Sequence, residues 1–213
     1  MEDRRILKEN GYEYAKRVRK RMDSVRIRGF VTVWQEDKRG KRIYLVKGAK
    51  NHFVDAGLRG LLSALVGNYL FANESAIIRA WSYTPKIYLG KDTGTPTTHG
   101  MTSLMDPIGT APGTPPNSVS GSNITNPETG KWVCSYRAIW NPGVITEQVG
   151  EMALYLRPFT DITPNWSYTT SEIYEYSEKM VSRTSVADGD FDAFTPDPSK
   201  SLTVQWEVMV TYA

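Results

Sequence analysis

The stretch Ser201–Tyr212, SLTVQWEVMVTY, decides the fold class, because apolar residues recur in it at every second position. In an extended chain the apolar side chains share one face: Leu202, Val204, Trp206, Val208, Val210 and Tyr212. Alternation at a period of two is the pattern of a strand that buries one face. The sequence therefore predicts a β-protein in which this last segment is paired within a sheet.

Further predicted strands lie upstream, separated by turn-rich segments such as NPGV and TPDPSK. They are residues 25–34, 43–48, 86–90, 132–140, 149–156 and 174–186. The strands do not alternate with helices, which argues against a parallel α/β sheet. About seven strands with irregular connections favour a mainly β fold, an antiparallel β-sandwich of the jelly-roll-like kind.

Three segments depart from this strand pattern. Residues 53–70 carry leucines at helical spacing and predict one amphipathic helix. Residues 2–23 predict a helical arm with only a narrow apolar stripe. Residues 90–131 contain 26 Gly, Pro, Thr and Ser among 42 residues, which predicts a long surface loop. The expected organisation is a basic N-terminal arm (residues 1–28) followed by one β-sandwich domain (residues 29–213).

Composition limits the class of protein further. The 213 residues include six Trp and twelve Tyr, an aromatic content that suits sheets and interfaces. No apolar run approaches the roughly 18 residues that a membrane-spanning helix needs, so no membrane is expected as a partner. Neither is a secretory signal expected, since the first residues are charged. The single cysteine, Cys134, excludes an intrachain disulfide and fits synthesis in a reducing cytosol.

The positive charge of the chain belongs to its first 28 residues. They hold ten Lys and Arg against five Asp and Glu, whereas the whole chain has a net charge of +3. Five cations are concentrated within six positions: Lys16, Arg17, Arg19, Lys20 and Arg21. Such a run suits an acidic protein face or phosphates, or it is only a solvated helix face. We expect it to bind an assembly partner; nucleic acid is not expected, because base-stacking aromatics are missing from the run.

Reactive groups are scarce in the sequence. The only histidines are His52, expected in a turn before the helix, and His99, expected in a loop. Asp188, Asp190 and Asp192 alternate in DGDFD and could supply oxygen ligands to Ca²⁺, but the rest of the calcium-loop pattern is missing. Glu147 and Glu151 would lie about 13 Å apart on a strand, too far for a glycosidase pair. The sequence predicts no catalytic residue, no resident metal and no cofactor.

Three segments carry a resemblance to a known class of proteins. They are KNHFVDAGLRGLLSALVG (50–67), KIYLGKDTGTPTTHGMTSL (86–104) and SRTSVADGDFDAFTPDPSKSLTVQWEVMVTY (182–212), with EQVGEMALYL (147–156) as an internal strand. Together they resemble structural proteins of tailed bacterial and archaeal viruses, of the tail-fibre, baseplate, neck or head-decoration type. The resemblance covers residues 50–213, and the basic arm and residues 105–131 depart from it.

The resemblance implies a virion structural protein rather than an enzyme. It would be a subunit of a symmetric tail, neck or capsid-surface assembly, synthesised in a host cytoplasm and located in the virion. Its partners would be copies of itself and other virion proteins. The alternative is a carbohydrate-binding module for host glycans, with Trp81 and Trp166 as exposed stacking rings and Trp34 and Trp206 in the core.

Overall fold

A computed structural model describes residues 26–55, 57, 85–128, 131–156 and 179–211. Within these ranges the chain forms eight strands: β1 (Arg26–Glu36), β2 (Arg42–Phe53), β3 (Lys86–Gly90), β4 (Ser118–Glu128), β5 (Lys131–Trp140), β6 (Glu151–Leu156), β7 (Lys179–Ser185) and β8 (Ser201–Thr211). A single 3₁₀ turn, Val186–Asp188, follows β7. The protein is therefore mainly β, as the sequence predicts.

All pairings between the strands are antiparallel, and they join the strands into one sheet. The order across this sheet is β3-β6-β7-β2-β1-β8-β5-β4. Strand β2 links the two halves, since its first part pairs with β1 and its last two residues, His52 and Phe53, pair with β7. The sheet curls until it is nearly closed.

Strand β8 confirms the strand from which the fold class was predicted, although Thr203 on the predicted polar face is also buried and Val208 and Val210 are only partly buried. Leu202, Val204 and Trp206 are all at most 2 % exposed, and they lie in the central strand of the β1–β8–β5 part of the sheet. Burial of apolar surface on this scale is the main favourable term in folding. The main core cluster also includes Ile87 and Leu154 from the other half, so both halves of the curled sheet contribute to one core.

The segment between β3 and β4 connects the two edges of the sheet. Its Ile108 donates to the Leu89 carbonyl of β3, the first strand in the order. The Thr114 N–H donates to the Ile108 carbonyl. The Thr114 carbonyl in turn accepts a hydrogen bond from the indole N–H of the buried Trp140 on β5. The β3 edge is thereby covered at Leu89 and Gly90, which protects that end of the strand from pairing with other chains.

The structure corrects the predicted loop at residues 90–131. Its last part is strand β4, which forms a hairpin with β5. The prediction was wrong there because Ser, Gly, Asn and Thr are poor indicators of a strand, whereas pairing with a neighbouring strand overrides that preference. Strand β6 begins at Glu151, two residues later than predicted, and β7 ends at Ser185, one residue earlier; the predicted residues 174–178 lie outside the described residues.

The two predicted helices fall almost wholly outside the described residues. The arm at residues 2–23 lies there completely. Of the helix predicted for residues 53–70, Phe53 instead ends β2, and only Asp55 and Gly57 are described with helical backbone. Residues 26–28, which the expected division assigns to the arm, belong to β1. None of the described helical residues forms a helix that is long and apolar enough to cross a bilayer.

Candidate functional site

Three segments of the chain meet around one buried arginine. Arg183 lies on β7, Glu151 begins the adjacent strand β6, and Asp92 follows β3 on the far side of β6. The side chains of Arg183 and Glu151 are both 0 % exposed, and that of Asp92 is 19 % exposed. Charged side chains are almost never fully buried unless they are paired, so the arrangement requires a close network of partners. We call it the Arg183 network.

Every N–H of the Arg183 guanidinium has an acceptor. Nε and one Nη2 hydrogen reach the same Glu151 oxygen, Oε2, at 2.8 Å, and Nη2 also reaches Asp92 Oδ2 at 3.2 Å. Nη1 donates to the Thr95 carbonyl at 2.9 Å and to Thr97 Oγ1 at 3.0 Å. A guanidinium has five donors, so its capacity is fully used. The desolvation cost of burial is offset by these contacts.

The second oxygen of Glu151 holds the loop that follows β3. Oε1 accepts from the backbone N–H groups of Met105 and Asp106, at 2.9 and 2.8 Å. Two glycines make this close approach possible. A Cβ at Gly90 would overlap the Glu151 carboxylate, and one at Gly150 would overlap the backbone carbonyls of residues 91 and 92. Larger residues at either position would displace the loop from the sheet.

A second carboxylate, Asp188, extends the network to the turn after β7. Its Oδ1 accepts from the Thr97 N–H at 2.9 Å, and its Oδ2 accepts from Thr97 Oγ1 at 2.5 Å and Ser185 Oγ at 2.7 Å. Partial burial raises the pKa of Asp188, but the hydrogen bonds from Thr97 and Ser185 outweigh it and leave the pKa below 3.8. Asp188 is therefore ionised at neutral pH and anchors Thr97.

A group of potential metal ligands adjoins this network. His52, Asp188 and Asp190 each offer a ligand atom, and these atoms lie within 4.8 Å of one another. The third aspartate of the predicted set, Asp192, is exposed and does not belong to the group. The carboxylates already have protein partners, since Asp190 accepts from Thr184 Oγ1 at 3.2 Å and contacts His52 Nε2 at 3.2 Å. The group could bridge a divalent cation, but its hydrogen bonding is satisfied without one.

The two glutamates considered for a glycosidase have separate roles. Glu151 is buried in the Arg183 network, whereas Glu147 is half exposed and pairs with Lys91 at 3.1 Å. His52, predicted in a turn, is instead the penultimate residue of β2. His99 lies in a turn as predicted, where its carbonyl accepts from the Asp55 N–H.

A second cluster lies on the outer face of the sheet, around Trp34 of β1. The guanidinium carbons of Arg42 and Arg137 lie 5.2 and 5.4 Å from the centre of the Trp34 ring, within cation–π range. The Tyr44 ring is tilted against Trp34 at 6.2 Å, and Lys47 lies 5.0 Å from the centre of the Tyr44 ring. The hydrogen bond from Arg42 to Glu36 raises the pKa of Arg42, which keeps its charge.

The tryptophans were predicted with mixed success. Trp206 is buried as predicted, and so is Trp34, although its partners are cations on the outer face rather than core residues. Trp140 is also fully buried. Trp81 and Trp166, on which the glycan-binding alternative depends, lie outside the described residues. So do the five predicted assembly residues, Lys16, Arg17, Arg19, Lys20 and Arg21.

Sequence reasoning did not find the Arg183 network. Glu151 and Arg183 lie 32 positions apart in the sequence, and Asp92 and Arg183 lie 91 positions apart. Two features of the sequence were available as signals. One is an arginine inside a predicted strand, in SRTSV, and the other is a glutamate that follows a glycine near the start of another predicted strand. The pairing of β6 with β7 was needed to relate the two.

Comparisons with known proteins give no relative for this chain: no family model, curated protein or solved structure matches it.

Proposed function

We propose that the protein is a virion structural protein, a subunit of a symmetric tail, neck or capsid-surface assembly. It acts by forming repeated contacts with copies of itself and with other virion proteins, and it does not turn over a substrate. The basic arm, through Lys16, Arg17, Arg19, Lys20 and Arg21, anchors the subunit, and the β-domain projects from it.

The observation that supports this proposal is that three of the four resembling stretches meet at the Arg183 network. Asp92, Thr95 and Thr97 come from the segment 86–104, Glu151 from 147–156, and Arg183 and Asp188 from 182–212. Residues from the resembling segments thus form one hydrogen-bonded network, which fixes the long loop after β3. A rigid surface of this kind suits a protein that presents the same contacts many times.

We also propose that the curled sheet serves as a two-layer, jelly-roll-like sandwich. The support is the composition of the core, which combines Val31 and Trp206 from one half of the sheet with Leu89 and Met152 from the other. An experimental structure would test this assignment through the distance between the two halves, since packed sheets lie about 10 Å apart.

Removal of the arm tests the proposed function. We expect deletion of residues 1–24 to leave a folded β-domain but to weaken self-association and incorporation into particles. Neutralising Lys16, Arg17, Arg19, Lys20 and Arg21 to Gln should have the same effect and should reduce the salt sensitivity of association, because screening acts on exposed charges.

Light scattering measures association, and circular dichroism with urea unfolding measures folding in the same samples. A parent chain that is monomeric both alone and in particles would contradict the proposal. An unfolded deletion variant would show that the arm belongs to the core and does not act as an anchor.

A further inference from the structure

The turn between β1 and β2 carries a dense group of cations. The cationic hairpin, as we call it, comprises Lys38, Arg39, Lys41 and Arg42 at the turn, Lys47 further along β2, and Arg137 of β5, which lies over the same Trp34 ring as Arg42; all six are exposed. The nearby carboxylates are engaged within the hairpin. Glu36 accepts from Arg42 at 3.0 Å, and Asp37 Oδ1 accepts from the backbone N–H groups of residues 39 and 41. Six cations against two carboxylates leave a net charge of +4.

The loops around the Arg183 network carry the opposite charge. Seven carboxylates belong to this acidic loop cluster, against the two cations Lys91 and Arg183: Asp92, Asp106, Glu147, Glu151, Asp188, Asp190 and Asp192. With neutral His52 the net charge is −5. Its exposed carboxylates are Asp106, Glu147 and Asp192; Lys91 contacts the first two at 3.6 and 3.1 Å, so the net charge of these exposed groups is −2.

Strand β2 separates the two clusters. Arg42 begins this strand in the cationic hairpin, and His52, ten residues later, contacts Asp190 of the acidic loop cluster. A strand rises about 3.3 Å per residue, so the separation along β2 is up to roughly 33 Å. The two charged surfaces therefore lie near opposite ends of one strand and cannot neutralise each other within one molecule, because the Debye length is about 8 Å at physiological ionic strength.

We propose that the cationic hairpin of one copy docks onto the acidic loop cluster of the next copy. Charges of opposite sign and similar size make the two surfaces complementary, and such complementarity fixes orientation and accelerates encounter. The proposed contact is heterologous, in that each copy binds one neighbour through its hairpin and another through its loop cluster; such head-to-tail contacts form rings where the rotation closes and filaments where it does not. This inference rests on the proposed function in that it specifies how the subunits of the assembly meet.

Charge reversal on each surface tests the contact with the full chain. Lys38→Glu with Arg39→Glu lowers the net charge of the cationic hairpin from +4 to 0, and Asp106→Lys with Asp192→Lys changes that of the acidic loop cluster from −5 to −1. The matched control, Arg26→Glu with Lys50→Glu, changes the same amount of charge at exposed positions outside both clusters. Urea unfolding of each variant checks that the fold is retained.

Sedimentation velocity at about 50 and about 500 mM salt gives the readout. We expect each reversed pair alone to weaken self-association about tenfold or more at low salt, and the control to change it much less. An equimolar mixture of the two variants should recover pairwise association, since the unchanged hairpin of one variant (+4) then meets the unchanged loop cluster of the other (−5).

Association that withstands both reversals, or a mixture that fails to recover, overturns the head-to-tail contact while leaving the proposed function standing. The hairpin variant could also associate as well as the parent chain but no longer bind a single-stranded DNA oligonucleotide. That result would overturn the head-to-tail contact and would show that the cations bind nucleic acid. A parent chain that is monomeric alone and in particles would contradict both proposals.

Discussion

The Arg183 network and the Trp34 cluster use the same chemical group in opposite ways. The guanidinium of Arg183 is completely buried and gives all five hydrogens to protein acceptors. The guanidinium of Arg137 is exposed, lies over an aromatic ring, and makes one hydrogen bond, to Gln205 at 3.3 Å. Because Arg183 is buried, its loss leaves the partner carboxylate charged, out of water and without compensation, which strongly destabilises the fold. Because Arg137 is exposed, it can give up its contacts within the chain and bind a partner instead.

The largest effect is expected from Arg183→Met. The substitution leaves the Glu151 carboxylate buried without its cation, and breaking a buried pair in this way costs about 3–5 kcal/mol. Urea midpoints of parent and variant measure the loss. The double variant Arg183→Met with Glu151→Gln removes the uncompensated charge but keeps an acceptor for the Met105 and Asp106 N–H groups, so part of the loss should be recovered. Equal losses in the single and double variants would show that volume, not charge, dominates at this site.

A smaller, pH-dependent effect is expected from Asp188→Asn. The pKa of Asp188 is lower in the folded chain than its usual 3.8, so its ionised form adds stability above that value. This stability disappears as the pH falls through the folded pKa. Urea midpoints should therefore favour the parent at pH 7, and the difference should shrink in acid. Asp192→Asn, at an exposed neighbour, is the control; a pH-independent difference for Asp188→Asn would contradict the assignment.

The smallest effect is expected from Arg137→Met, the exposed counterpart of the first substitution. An exposed cation–π contact contributes about 0.5–1 kcal/mol, and exposed ion contacts contribute a similar or smaller amount. The urea midpoint should move only slightly. A loss as large as that of Arg183→Met would mean that Arg137 supports the sheet, and would remove the contrast between the two arginines.

The sequence predicts the strands well where one face is apolar. Strand β3 has the predicted bounds, and β8 differs only because Tyr212 lies outside the described residues. Strand β8 is predictable because burial of one face imposes a period of two, whereas β3 is a short apolar run that is buried on both faces. The polar strand β4 carries no such signal and is stabilised by its hairpin with β5, which local sequence does not encode.

The site was much harder to predict than the strands. Glu151 and Arg183 are polar residues within strands, where the pattern predicts exposure rather than burial. Their contact depends on β6 lying between β3 and β7, an order that composition and spacing do not determine. The aspartate set was predicted in part: Asp188 and Asp190 lie together, but their third neighbour is His52 from a distant strand.

The central position of β8 has a consequence for synthesis. This strand pairs along its whole length with both β1 and β5, yet the ribosome makes it after both of them. Until residues 201–211 emerge, the β1–β2 and β4–β5 hairpins present one unpaired edge each, separated by the space that β8 will fill. Nascent chains interrupted before that point lack the strand that joins the two hairpins. Completion of the sheet therefore waits for β8, and long-range pairing of this kind makes it slow.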